Sequence, residues 1–151
     1  MKKIILPTIV VLGVYGLFKL NKMKNAIDSL KVKLTSVKNI DISWSSLKFN
    51  FDLLITNPTM QNIGFNTYDL VKLSKVEFYN KTNNSFLGTA SLNLSSLELN
   101  ANSSVSINNV LASFSTKSLI KNIDVFKQDP LKNLDIYLVL SSAGKTYKIK
   151  A

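Results

Sequence analysis

Three pairs in the sequence have the spacing of a Ser nucleophile with a Lys base: Ser45/Lys48, Ser118/Lys121 and Ser142/Lys145. In a Ser-x-x-Lys site the amine takes the hydroxyl proton while nearby backbone N–H groups hold the oxyanion. Random placement of 18 Ser and 19 Lys among 151 positions gives roughly two such pairs, so three carry no signal by number alone. Carboxylate chemistry is thinner still. The nine acids are scattered, with no D-x-D and no E-x-x-E, and Asp124 and Asp129 simply flank a loop. Two acids so placed read as solvated loop side chains and not as a metal site or an acid–base pair.

The chain has no His and no Cys. That removes the usual neutral-pH base, the commonest metal ligand, any thiolate nucleophile and any disulfide. Its five Gly are isolated, so no loop is built to cradle a phosphate. We therefore expect no catalytic residues, no cofactor and no metal: a protein that is not an enzyme.

All nineteen cations are Lys. Arg is the residue that reads guanine edges and clamps phosphates bidentately, so its lack argues against specific nucleic-acid recognition. In Lys48-Phe49-Asn50-Phe51 and Lys75-Val76-Glu77-Phe78-Tyr79 the aromatics are expected in a core before any base-stacking role. The net charge of +10 is unevenly spread, since residues 1 to 38 hold eight Lys against Asp28 alone. Lys beside an apolar helix most simply reports anionic head groups, each contributing about 1 kcal/mol near such a surface.

The apolar helix is expected between Lys3 and Lys19, with Ile4, Ile5, Leu6, Ile9, Val10, Val11, Leu12, Val14, Leu17 and Phe18 as its membrane face. Lys2, Lys3, Lys19, Lys22 and Lys24 would meet the head groups. The run is short against the about 20 residues usual for a span, so a secretory signal segment competes with a retained anchor. The retained anchor is preferred because no A-x-A-like cleavage site follows. Counting Lys alone puts the rest of the chain in the cytoplasm, whereas an MKK start before an apolar run fits a signal anchor that exports it. The side of the membrane stays open.

Residues 1–27 are read as anchor and short stalk, because Met23, Ala26, Ile27 and Leu30 keep helical spacing. Residues 28–151 are read as one β domain. Leu30, Val32 and Leu34 alternate with Lys; Ile40, Ile42 and Trp44 follow; Leu47, Phe49, Phe51, Leu53 and Ile55 form a longer alternating strand ending at Asn57-Pro58. Alternation means one face buried and one wet, so Phe51 points inward and Asp52 should tolerate Lys. Trp44 fits either the core or a membrane-interface ring.

Further strands are expected at Ile63 to Tyr68, Leu70 to Tyr79, Phe86 to Leu94, Leu97 to Leu99 and Ser104 to Phe114, with a terminal hairpin of Leu134 to Leu140 and Lys145 to Ile149. One short helix is expected over Thr116 to Phe126, after which Asp129-Pro130 restarts the extended chain. So many short strands with so few helices describe an all-β fold, an antiparallel immunoglobulin/fibronectin-like β-sandwich with one short helix, preceded by an N-terminal transmembrane helix.

The stretch Leu53-Leu54-Ile55-Thr56-Asn57-Pro58-Thr59, then Ile63, Phe65 and Tyr68, then Phe86-Leu87-Gly88, resembles the late embryogenesis abundant (LEA) type 2 family, also called the water-stress and hypersensitive-response domain. Ala90 stands where that family's L-G-x-G-like turn has its second Gly. The strand Val105 to Phe114 and the helix at Thr116 are similar in order, so the likeness covers about residues 28 to 150. It implies a seven-stranded sandwich, often tethered by one N-terminal helix, that protects membranes or client proteins under water stress without catalysis. Asn57, Pro58 and Gly88 are its motif positions. From the residues alone, Asn57 and Pro58 read as structural: Pro ends a strand because it cannot donate to the ladder, and Asn before it caps a turn.

The partners expected are membrane lipid and other proteins, whether envelope, client or shell. A second reading is a structural component of a membrane-containing virion or envelope assembly, with the anchor in the membrane and the sandwich against a protein shell.

Overall fold

The computed structural model describes residues 24–66, 71–92, 94, 96–142 and 145–151. Its spine is the strand with the cleanest alternation, β2 (Ser46–Asn57), in which Leu47, Phe49, Phe51, Leu53 and Ile55 are fully buried while the residues between them face outward. A strand with one apolar face must lie against another apolar surface. Here β2 is flanked by β1 (Lys31–Ile42) and β7 (Ser103–Ser115), both antiparallel to it, in a three-stranded sheet of order β1-β2-β7.

The facing sheet has four strands in the order β5-β4-β8-β9, made of β4 (Val71–Asn80), β5 (Phe86–Ser91), β8 (Leu134–Ser142) and β9 (Lys145–Lys150). Every pairing is antiparallel. A short pair, β3 (Ile63–Asn66) with β6 (Ser96–Leu99), precedes β4 and follows β5 along the chain. β7 lies beside β5 and β1 beside β9, so the two margins of the sandwich are closed by neighbours. The result is an all-β sandwich with few, short helices.

Five Phe rings form the centre of the core. The Phe49 ring centroid lies 5.4 Å from each of Phe78, Phe114 and Phe126 and 6.2 Å from Phe51. The Phe78 and Phe114 contacts are edge-to-face, the arrangement that brings a positive ring edge to a negative ring face and adds about 0.5–1.5 kcal/mol per pair beyond area burial.

Several elements depart from the pattern read in the sequence, each for a local reason. Residues 24–28 form a helical turn, α1, that buries Ala26 and Ile27 in the same cluster as the strands. The helical spacing there records packing onto the sandwich, and not a stalk standing free of it. The helix expected over Thr116 to Phe126 is two four-residue turns, α2 (Thr116–Leu119) and α3 (Asp124–Lys127). Asp129-Pro130 opens a third, α4 (Pro130–Asn133), with Pro in the first turn, where a missing N–H costs nothing. Leu87, Gly88 and Ala90 lie inside β5; the turn comes earlier, at residues 81–83.

β1 is a single strand of 12 residues, but its register against β2 shifts between Leu34 and Ser36 and again between Lys38 and Asp41. Asn39 sits in the second shift with φ 54°, a left-handed conformation that Asn tolerates better than most residues. Beyond it Ile40 and Ile42 are partly in solvent and Trp44 wholly so. Trp44 is therefore not a core residue.

Asp52 does point outward, yet it is not free for replacement. Its Oδ1 accepts the backbone N–H of Asn109 at 2.6 Å, and its Oδ2 pairs with Lys38 at 2.9 Å. Asn109, with φ 60°, marks the irregularity of β7 opposite. One carboxylate thus ties down a distortion in β7 and the strand β1 on its other side. First the Asn109 N–H and then Lys38 hold its carboxyl below the ordinary value. A Lys at position 52 removes the acceptor and opposes Lys38.

Candidate functional site

The motif positions are structural. Asn57 closes β2 with its side chain fully buried. Its Nδ2 donates to the carbonyl oxygens of Gln61 at 2.7 Å, Asn100 at 3.1 Å and Leu99 at 3.2 Å. Its Oδ1 accepts the Thr59 N–H at 3.0 Å and the Thr59 hydroxyl at 2.7 Å. An amide has two N–H bonds and two lone pairs, so nothing is left over for a ligand. Pro58 is exposed beside it. Gly88 is required by a close approach: a Cβ there would lie 2.7 Å from Cγ of Phe114.

Lys24 begins α1 and is exposed; Lys2, Lys3, Lys19, Lys22 and the apolar positions from Ile4 to Phe18 lie outside the described residues. Among the described residues, no helix is long and apolar enough to cross a membrane. The acids read as solvated are so: Asp124 lies 3.8 Å from Lys127 and Asp129 3.2 Å from Lys132, each a pair within one turn. Of the Ser-x-x-Lys pairs, Ser45 is in the β1–β2 turn and Lys48 on the outer side of β2, both largely in solvent. No group of three Asp or Glu among the described residues is placed to hold a metal ion.

What the sequence reading missed is the outer face of the four-stranded sheet. Phe78 and Tyr79 are adjacent, so a strand must send them to opposite sides; Phe78 enters the core and Tyr79 faces out. The Tyr79 ring meets Phe86 at 5.4 Å and Tyr137 at 5.3 Å, both edge-to-face, and Phe86 is half exposed. Beside them Glu77 is nearly buried although it lies on the outer face. Lys148 reaches its Oε2 at 2.6 Å, the Tyr79 hydroxyl donates to the same oxygen at 3.0 Å, and Lys75 approaches Oε1 at 3.2 Å. Burial pushes the Glu77 carboxyl up, but the hydrogen bonds from Lys148, Tyr79 and Lys75 outweigh it and hold the group below its ordinary value. The same bond raises Lys148. Lys150 pairs with Asp135 at 2.8 Å and stands 5.9 Å over the Tyr137 ring.

These side chains surround a shallow concavity of about 360 Å³ lined by Tyr79, Asn84, Asp135, Tyr137 and Lys148. A second hollow, at the turn between β4 and β5, is organised by Asn122. Its Oδ1 accepts from Asn80 at 2.7 Å, Ser85 at 2.9 Å and Asn83 at 3.3 Å, joining that turn to the segment between α2 and α3.

No protein-family model and no curated protein matches the chain. Among solved structures it is similar to a protein from Archaeoglobus fulgidus known by its crystal structure, with 11% identity over 82% of this chain and 89% of that one and a TM-score of 0.39. That likeness is too distant to carry family or function.

The outer face has aromatic area, paired charges and a shallow shape. Among the described residues its acids Glu77 and Asp135 are both paired with Lys.

Proposed function

We propose that this chain is a non-catalytic binding module of the LEA type 2 kind. In this reading an immunoglobulin/fibronectin-like sandwich is held at a membrane by the helix at residues 4–18 and contacts envelope or client proteins through the outer face of β4, β5, β8 and β9. The observation that carries the reading is the aromatic group Tyr79, Phe86 and Tyr137 on the solvent side of a sheet whose other side already fills the core. Aromatic side chains on a wet face cost solubility, and they are enriched where proteins meet proteins. The absence of Arg disfavours a specific nucleic-acid partner.

The test uses the full-length chain reconstituted in vesicles and dried together with a labile client enzyme. The expected result is protection of the client by the wild type and its loss in the Phe86→Ser/Tyr137→Ser variant, with the sandwich still melting cooperatively. Protection unchanged in that variant removes this face from the function. Recovery of the protein as a stoichiometric component of a particle, with no client effect, moves it to an assembly role.

A further inference from the structure

Two hollows meet at the turn between β4 and β5. Asn84 lines the first, with Tyr79 and Tyr137, while Thr82 and Asn83 line the second, with Asn122. Asn83 and Asn84 are consecutive, so a single residue step divides the two walls.

The second hollow, of about 250 Å³, contains a donor that the fold leaves unused. The backbone N–H of Thr82 donates to Asn80 Oδ1 and that of Ser85 to Asn83 Oδ1, both at 2.9 Å. With each oxygen fixed in this way, the Nδ2 of both residues turns to Asn122 and donates to its Oδ1, joined there by the Ser85 hydroxyl. The Asn122 amide can therefore meet its neighbours in one sense only, oxygen first. Its Nδ2 has no partner among the described residues, although the residue is only 7% exposed. No fully enclosed side-chain nitrogen or oxygen among the described residues lacks a bond, so this Nδ2 is not sealed in; it opens onto the hollow that Asn122 lines. An N–H held in place in this way suits a carbonyl or hydroxyl oxygen.

Charge narrows the ligand further. Each hollow is lined by one acid and one lysine, Asp135 with Lys148 in the first and Asp124 with Lys121 in the second, so neither selects an anion or a cation. The first hollow, at about 360 Å³, falls within the about 300–1,000 Å³ usual for small-ligand sites. It adds the two Tyr rings, and neither the Tyr137 hydroxyl nor the Asn84 side-chain amide has a hydrogen bond among the described residues. Rings beside unpaired amides fit a neutral ligand in which apolar C–H faces alternate with hydrogen-bonding edges.

We propose that the two hollows form one site for a neutral saccharide carrying acetamido groups, a β-linked N-acetylhexosamine oligomer. Pyranose C–H faces pack against Tyr79 and Tyr137, and an acetamido carbonyl accepts the free N–H of Asn122. A lipid tail is disfavoured, because it would cover polar walls without bonding them. A peptide has the amides but lacks the flat C–H faces. The inference rests on reading the outer face of β4 and β8 as the binding face, and goes beyond it in naming a glycan as what binds there.

The test is calorimetric titration of the full-length protein in phosphocholine micelles. The probes are triacetylchitotriose, cellotriose, which has the same backbone without acetamido groups, and an acetylated alanine tripeptide amide. Saturable binding of triacetylchitotriose is expected, with cellotriose about tenfold weaker and the tripeptide not bound. Asn122→Asp keeps the oxygen to which the three neighbours donate and removes only the free donor, so it should melt as a folded protein and bind about tenfold more weakly. Tyr137→Ser should weaken binding from the other hollow. No binding of triacetylchitotriose overturns the proposal, as does equal affinity for cellotriose or the tripeptide, or undiminished binding by Asn122→Asp. Client protection in the Phe86→Ser/Tyr137→Ser variant reports the binding-face reading separately. Protection lost in that variant with no saccharide bound by the wild type strikes the glycan alone.

Discussion

At one end of the sandwich Asn57 is buried and bonded on both sides of its amide; at the other, about 35 Å along β1 by strand rise, Trp44 stands in solvent. Each end is a turn between strands, and each is held by side-chain bonds to backbone. The Asn57 end spends its polar groups on itself and hides its apolar ones. The Trp44 end also satisfies its backbone, through Ser43 and Thr116, but leaves large apolar groups outside. A polar residue inside and an apolar residue outside both depart from the usual distribution, and for different reasons. The first is explained by the fold alone. The second gains no burial from the fold.

That contrast can be broken by substitutions whose effects should fall in order. Phe51→Asp reaches both ends, since it places a charge among the five rings of the core; a loss of about 4 kcal/mol or more is expected, comparable with the whole stability of many domains. Absence of a cooperative melt is the readout, and a normal melt would mean that β2 is one residue out of register. Asn57→Ala strips the closed end of five hydrogen bonds and leaves buried carbonyls without donors. About 2–4 kcal/mol is expected in denaturant unfolding, and a change below 0.5 kcal/mol would show that the corner is not what closes the sandwich.

Gly88→Ala drives a methyl into the Phe114 ring at a cost of about 1–3 kcal/mol. Phe114→Leu in the same chain should give part of that back, and strict additivity of the two would contradict the contact. The smallest effect belongs to Glu77. Its folded carboxyl lies below the ordinary 4.5, so it contributes stability above that value which is lost as pH falls through the lower folded value. Lys148, raised above 10.5, contributes below that value and loses its share as pH rises through the higher one. Glu77→Gln should therefore flatten the acid limb of a melting-temperature profile and leave part of the alkaline loss missing as well, whereas an unchanged profile would separate the pair from stability.

The parts legible in the sequence are those with unbroken local period. Leu47 to Ile55 alternates strictly, so the buried face of β2 and the inward Phe51 could be read directly, and the structural role of Asn57-Pro58 followed from what Pro cannot donate. Where the period breaks, the reading failed. The two register shifts of β1 cancel, so that Ile42 lies opposite the buried Leu47, yet Ile40, Ile42 and Trp44 are exposed, which alternation alone does not show. Four-residue helices such as α2 and α3 are too short to show a periodic signal. The burial of Glu77 depends on Lys148, 71 positions later, a meeting that no local window contains. Even so, Phe78-Tyr79 contained a usable signal, because neighbours on a strand cannot share a face.

The contrast between the ends rests on Trp44 being open to solvent while Asn57 is closed off from it. Quenching of Trp44 fluorescence in the full-length protein measures this directly. The account predicts acrylamide quenching close to that of free tryptophan. Blue-shifted emission with the weak quenching of a buried indole would contradict it.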